Sequence, residues 1–274
     1  MAALNRRVLP GFSLSLGYTV FYLGLLVMIP LAACFWKASN LSLADFWATV
    51  WTDRAQAAYW LTFSSAFIAA SINLVLGLIV AWVLVRYEFF GKRFIDALID
   101  IPFALPTAVA GLVYASLYVP NGWLGQFLVP LGIEGAFSKV GIVLVLVFTS
   151  FPFVVRTVQP VLESIDADTE EAAMILGANR WQTFRRIILP TLIPALVTGF
   201  ALAFARAIGE YGSVIFISSN MPFKTEIAPV LIVIRLEEQA YSEAAAIAVV
   251  LLLISFTMLA VINLLERWSR KYGT

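Results

Sequence analysis

Apolar residues in this chain fall into long unbroken runs, and the runs, not any alternation of polar and apolar positions, set its plan. Six can be drawn, at about residues 12–36, 59–85, 97–119, 140–155, 191–217 and 244–265. A helix needs roughly 20 mainly apolar residues to cross a bilayer, so the pattern predicts an all-α membrane protein, one transmembrane domain over 12–266 with six spans. The run from Tyr59 to Val85 holds no charge. The run at 140–155 is short, about 24 Å at 1.5 Å per residue, which places it inside the bundle rather than against lipid on every side. Pro102, Pro106 and Gly111 fall within the third run. Prolines at membrane depth free backbone carbonyls, and here they serve either a packing kink or the wall of a wet cavity.

Between the runs, Lys37 to Ala58 is mixed and rich in tryptophan, with Trp47 and Trp51 inside it and Trp36 and Trp60 at its edges. That reads as an external loop with a short surface helix, its tryptophans placed as interfacial aromatics. Ile227 to Leu236, interrupted by Pro229, is too short to span and predicts a surface or re-entrant helix. The one long polar passage is Asp166 to Pro190, DADTEEAAMILGANRWQTFRRIILP. Asp166 or Asp168 is placed to cap a short helix whose first turn carries Thr169, Glu170 and Glu171. Gly177 ends it. Asn179 and Gln182, at capping-box spacing, start a second helix running to Pro190, where proline opens the next span. The expectation is helix, tight bend, helix.

Composition sharpens this. With 61% hydrophobic and 13% charged residues and a mean hydropathy of +0.91, the chain is too apolar for a soluble domain. The charges balance to +1, so no basic excess argues for nucleic acid. There is no histidine and one cysteine, Cys34, which removes zinc sites, disulfides and Cys-His nucleophiles together. No catalytic residues and no metal ligands are expected. The single Gly-Lys pair, Gly91-Lys92, lacks the flanking residues of a phosphate-binding loop, so any ATP and Mg that drive the protein belong to a partner chain.

Leu31-Ala32-Ala33-Cys34 has the look of a lipoprotein cleavage box, the competing view of the first run, but about 25 apolar residues exceed a signal core. Lys and Arg test the topology. Twelve of the 18 fall in the N-terminus, the 86–96 and 156–190 loops and the C-terminus, five in the other loops, and Arg206 lies within a span. The positive-inside rule then puts both termini and the Asp166–Pro190 loop in the cytoplasm. Arg206 and Glu210, four residues apart in the fifth run, are either a structural pair or part of a polar path, since charges at this depth seldom face lipid.

Glu171-Ala172-Ala173, three residues, Gly177, nine residues, Ile187, one residue and Leu189-Pro190 resemble the EAA loop of bacterial ABC importer permeases. Ala203 to Asn220, AFARAIGEYGSVIFISSN, and Ile101 to Gly111, IPFALPTAVAG, resemble the T-type sulfate/thiosulfate permeases, and more loosely the molybdate permeases. The resemblance implies a MetI-like (type I importer) fold in a bacterial inner membrane, and a subunit that is not itself an enzyme. It implies a W-type permease partner, two ATPase subunits that bind ATP and Mg, and a periplasmic sulfate- or thiosulfate-binding protein. Residues Glu171, Ala172, Ala173, Gly177, Ile187, Leu189 and Pro190 would then couple to the ATPase. Arg206, Glu210, Ser213, Pro106, Thr107 and Ser150 are the candidates for the substrate path. A molybdate- or tungstate-type permease and an ion-coupled secondary transporter remain alternatives, the latter leaving the loop spacing unexplained.

Overall fold

A computed structural model describes residues 11–272. Arg6 and Arg7 lie outside those residues, as do the side chains of Arg267, Arg270 and Lys271, so their share of the charge count stays a matter of sequence. The regular structure of the described residues is all helix, without strands. Helix α1 covers Phe12–Ala38, with one widened turn at Gly24–Met28. A short helix α2, Leu43–Val50, follows, started by Ser42, whose Oγ accepts from the Asp45 N–H at 3.1 Å. Thr52 does the same for the 34-residue α3, Asp53–Arg86, accepting from Ala55 at 3.2 Å. The second span thus begins six residues before the predicted Tyr59. Its first turn carries Asp53, Arg54 and Gln56, which hid it from a hydrophobicity pattern.

The third predicted span, 97–119, is not one helix. Amphipathic α4 covers Lys92–Ile99, a single turn follows at Ile101–Ala104, and α5 starts afresh at Thr107 and ends at Tyr118. Pro102 opens that turn, and extended backbone at Leu105 and Pro106 breaks the chain's direction, as the residue before a proline is driven out of the helical region. The fourth span is longer than expected. Helix α6 runs Lys139–Glu163, about 37 Å. Arg156, expected to end it, lies inside the helix because its guanidinium is completely bonded. Nε and Nη2 donate to the Asp100 carboxylate at 2.9 and 2.7 Å, Nη1 to Asp96 Oδ1 and Gln159 Oε1 at 2.6 and 2.9 Å, and Nη2 to the Asp96 carbonyl at 2.8 Å.

Helix α7, Ala167–Ile175, precedes the bend; α8 then runs Arg180–Ile208 without interruption at Pro190, through a widened turn at Phe184–Ile188. The fifth predicted span, 191–217, therefore ends early, at Ile208, and only a separate turn, α9 at Val214–Ile217, continues its apolar run. Helix α10, Ala228–Glu237, is half embedded: Ala228, Val230 and Leu231 are buried, and the Ala228 N–H donates to Thr62 Oγ1 of α3 at 2.8 Å. The last helix, α11, spans Tyr241–Tyr272, longer at both ends than 244–265. Among the described residues five helices, α1, α3, α6, α8 and α11, are long and apolar enough to cross a membrane, and α5 is shorter.

The core is α3 against α6 against α8. Val154 of α6 sits where all three meet: a Cβ on Gly77 of α3 would come within 2.7 Å of its Cγ1, and one on Gly199 of α8 within 3.1 Å of its Cα. Two glycines on opposite sides let the backbones close on one valine, the small-residue packing that membrane helices use. The fourth run lies between α3 and α8 with half of its apolar stretch buried, as expected of a span inside the bundle, although it is not short.

Candidate functional site

Two places carry polar groups in unusual arrangements. The first is the bend between α7 and α8. Asp166 occupies the N-cap position but makes no side-chain cap, so the expected capping there is absent. At the other end the helix closes as a Schellman motif: Ala178 N–H donates to the Ala173 carbonyl at 3.0 Å and Gly177 N–H to Met174 at 2.9 Å. This geometry needs a left-handed residue, and Gly177 has φ +86° with open space where a Cβ would sit. Only then can the chain reverse into the second arm. There Asn179 and Gln182 form a reciprocal capping box, each side chain accepting from the other's backbone N–H, at 2.9 and 2.8 Å.

The arms leave a groove of about 530 Å³ lined by Thr169, Ala172, Ala173, Leu176, Gln182, Arg186 and Ile187, among others. Glu171 and Ala172 are exposed, Ala173 is buried, Ile187 and Leu189 are half-buried and Pro190 is exposed. Beside the groove stand Ile175 and Leu176, 86% and 87% exposed, and Trp181, 66%. Apolar side chains this open on a polar loop mark a surface made for contact. The neighbouring Glu170, not Glu171, forms the ion pair here, with Arg86 at the end of α3. Nothing in the spacing of the polar passage pointed to Glu170.

The second place is where the two broken helices meet. Beyond Ile208 the chain turns through Gly209–Ser213. Glu210 lies in that turn, not on the α8 helix as expected, and is 2% exposed. Its Oε2 pairs with Arg206 Nη1, and its Oε1 accepts from Ser213 N–H and Oγ at 3.1 and 2.9 Å. The carboxylate thus closes the turn and neutralises the arginine. Arg206 remains 30% exposed along its side chain, with one of its five donors used by Glu210. The start of α5 is locked against this turn. A Cβ on Gly111 would lie 2.2 Å from the Ser213 carbonyl oxygen, and one on Gly212 2.3 Å from Thr107 Oγ1. Arg206, Glu210, Ser213 and Thr107 are therefore brought together, with Pro106 one residue before Thr107.

Ser150 is not part of this group. It is fully buried on α6, donating to the Leu146 carbonyl at 2.6 Å and accepting from Asn73 Nδ2 of α3 at 2.9 Å. It serves the α3–α6 contact. Further ion pairs were missed, among them Arg156 with Asp96 and Asp100, and the bidentate pair in which Arg54 donates to buried Glu226 at 2.8 and 2.6 Å. Asp100, a lone acid at the edge of an apolar run, was the available signal for the first.

Comparison with known proteins places this geometry. Residues 73–271 match the family model described as the binding-protein-dependent transport system inner membrane component. The sulfate transport system permease protein CysT of Synechocystis is 51% identical over 255 residues, covering 93% of this chain and 89% of that one. Those of Salmonella typhimurium and Escherichia coli are each 48% identical, over 99% and 98% of this chain and 98% of theirs. Among solved structures, a bacterial alginate ABC transporter in complex with its pentasaccharide-bound periplasmic protein superposes with a TM-score of 0.78 at 17% identity, covering 96% of both chains. The MetNI methionine transporter, at 0.58 and 19%, covers 85% of this chain and 100% of its own. The last two speak for the fold alone. The chain belongs to the binding-protein-dependent transport system inner membrane component family, among the sulfate transport system permease proteins.

Proposed function

We propose that this chain is the T-type permease subunit of an ATP-driven importer of sulfate and thiosulfate, placed in a bacterial inner membrane with both termini in the cytoplasm. The observation that carries this is the near-half identity, over almost the whole length of both chains, to permeases named for sulfate transport. A W-type permease completes the pore, two ATPase subunits bind ATP and Mg, and a periplasmic binding protein delivers the anion. The twelve-to-five distribution of Lys and Arg supports the orientation.

In this reading the α7–α8 bend is the coupling element. Ile175, Leu176 and Trp181 give the ATPase an apolar contact, with Glu171 at its edge, and the groove beside Ala172 and Ile187 takes the partner's surface. Closure of the ATPase pair on ATP moves this element, and the bundle switches between inward-open and outward-open states that ATP binds unequally. Arg206 offers its remaining donors to the passing dianion from the meeting point of the broken helices, where Thr107 and Ser213 stand. Because Glu210 already balances its charge, the station attracts sulfate weakly. Weak holding suits a path that must also release the ion.

Co-expression with the candidate partners, reconstitution in vesicles and measurement of labelled sulfate uptake test the reading. Uptake that requires ATP and the binding protein, and that thiosulfate competes away, is expected. Competition by molybdate alone would favour the molybdate-type alternative. Uptake in vesicles lacking any ATPase chain would favour an ion-coupled transporter.

A further inference from the structure

Motion at the bend reaches the bundle only if both arms are held. The second arm is continuous with α8, but the first, α7, joins α6 through the short stretch between Glu163 and Ala167. That first arm carries Glu171, Ile175 and Leu176. A force applied to such an arm would tilt it rather than move the helices, unless a side contact braces it.

We propose that Arg86 is that brace, a positioning residue that ties both arms of the coupling element to the end of α3. This inference rests on the importer reading above. Arg86 is the last residue of α3, and its Nη2 pairs with Glu170 on the first arm. Its guanidinium also lies over the Trp82 ring, one helical turn back, at 5.4 Å from the centroid. Trp82 in turn meets Phe184 of the second arm edge-on, at 5.5 Å and 80°, and Phe184 stacks on Trp181 at 5.6 Å and 24°. Glu170, Arg86, Trp82, Phe184 and Trp181 form one connected series that starts before Gly177 and ends after it.

Arginine suits this task and lysine does not, because a planar guanidinium can pair with a carboxylate in its plane while stacking its face on an indole. Both partners of the pair are 23% exposed, so the contact is partly shielded from water and salt. Arg86 Nε is buried without a hydrogen-bond partner. The side chain is thus held by its two contacts at the expense of one donor. From Arg86 the connection continues through α3, whose packing on α6 and α8 around Val154 makes the three helices one body. Displacement of the first arm then moves α3, α6 and α8 together.

The test uses the assembled complex in a Cys34→Ser background. Arg86→Ala should leave the subunits together and basal ATP hydrolysis running, while sulfate uptake per complex falls about tenfold, the scale expected when a coupling contact is lost. Glu170→Gln, which keeps the volume and removes the charge, should show the same split, and it stands in if Arg86→Ala does not assemble. The discriminating variant carries Arg86→Cys with Glu170→Cys. Uncoupled when reduced, it should regain uptake when a bifunctional thiol reagent joins the two sites in the already assembled complex. A role confined to folding would not respond to a link added after assembly. Uptake per complex near wild type in Arg86→Ala and Glu170→Gln, or a cross-link that forms without restoring uptake, would overturn the brace. Absence of sulfate uptake in the wild-type complex would instead remove the importer reading.

Discussion

Replacing Gly177 by valine isolates the conformational part of the proposed coupling element. The residue sits at φ +86° and no atom lies within 4 Å of the place a Cβ would take, so inside this chain the penalty is backbone strain alone, without a clash. A left-handed conformation costs an L-residue about 1–2 kcal/mol, more for a β-branched one. At about 1.4 kcal/mol per factor of ten, Gly177→Val should lower the ratio of bent to straightened loop by roughly 10- to 30-fold. Asparagine tolerates this region far better, so Gly177→Asn should cost only a few tenths of a kcal/mol. The assay is co-purification of the ATPase with the permease, alongside sulfate uptake per complex. Valine should reduce both about tenfold while the membrane-inserted amount stays constant, and asparagine should keep most of each. If asparagine were as damaging as valine, bulk against the docked ATPase, not the bend, would be the cause. If valine were harmless, the bend would not be the coupling element.

Other substitutions probe the polar site and the close contacts. Arg206→Ala should slow sulfate uptake per assembled complex; an unchanged rate removes Arg206 from the path. Exchanging the charges, Arg206→Glu with Glu210→Arg, should fail to rescue assembly, because an arginine at 210 offers no acceptor to the Ser213 N–H that Glu210 Oε1 now serves. Recovery of wild-type amounts would refute the capping role of Glu210. Gly111→Ala drives a Cβ onto the Ser213 carbonyl at 2.2 Å and should destabilise the helix junction by 3 kcal/mol or more, seen as loss of folded protein in thermal-shift profiles, whereas Gly132→Ala, with open space but φ +78°, should cost about 1 kcal/mol. Single cysteines at positions 93 and 224 should label from opposite membrane faces in intact cells; labelling of both from one face would sink the proposed orientation.

Much of the bundle was readable because apolar runs report membrane depth directly. The bend was readable too, since Gly177, Asn179 and Gln182 each have a local backbone reason for their place. What hid from the sequence were ends and breaks. Apolar residues resume at Val214–Ile217 beyond the end of α8, so the hydrophobic pattern carries on where the helix does not. The same holds at Leu105–Pro106, where the prolines signalled a disturbance but not a restart. Arg156 looked like a boundary because a charge at depth is costly; Asp96 on α4 and Asp100 just past its end remove that cost, and no periodicity connects residues about 60 positions apart. The polar site was half legible for the same reason. Arg206 and Glu210 stand four apart, but their union with Thr107 through Gly212 depends on a fold-level contact.

The length of α3 has a mechanical consequence. Arg54 and Arg86, bonded to Glu226 and Glu170, stand 32 residues apart on one continuous helix, about 48 Å at 1.5 Å per residue. A bilayer with its headgroups measures about 40–45 Å, so both ends reach the interfaces only if the rod leans, by roughly 20–35°. A leaning rod is a lever. Turning it by about 10° moves one end some 8 Å sideways relative to the other, several times the shift of a packed helix pair. A small rotation at the Glu170 end therefore arrives at Glu226 as a loop-sized displacement.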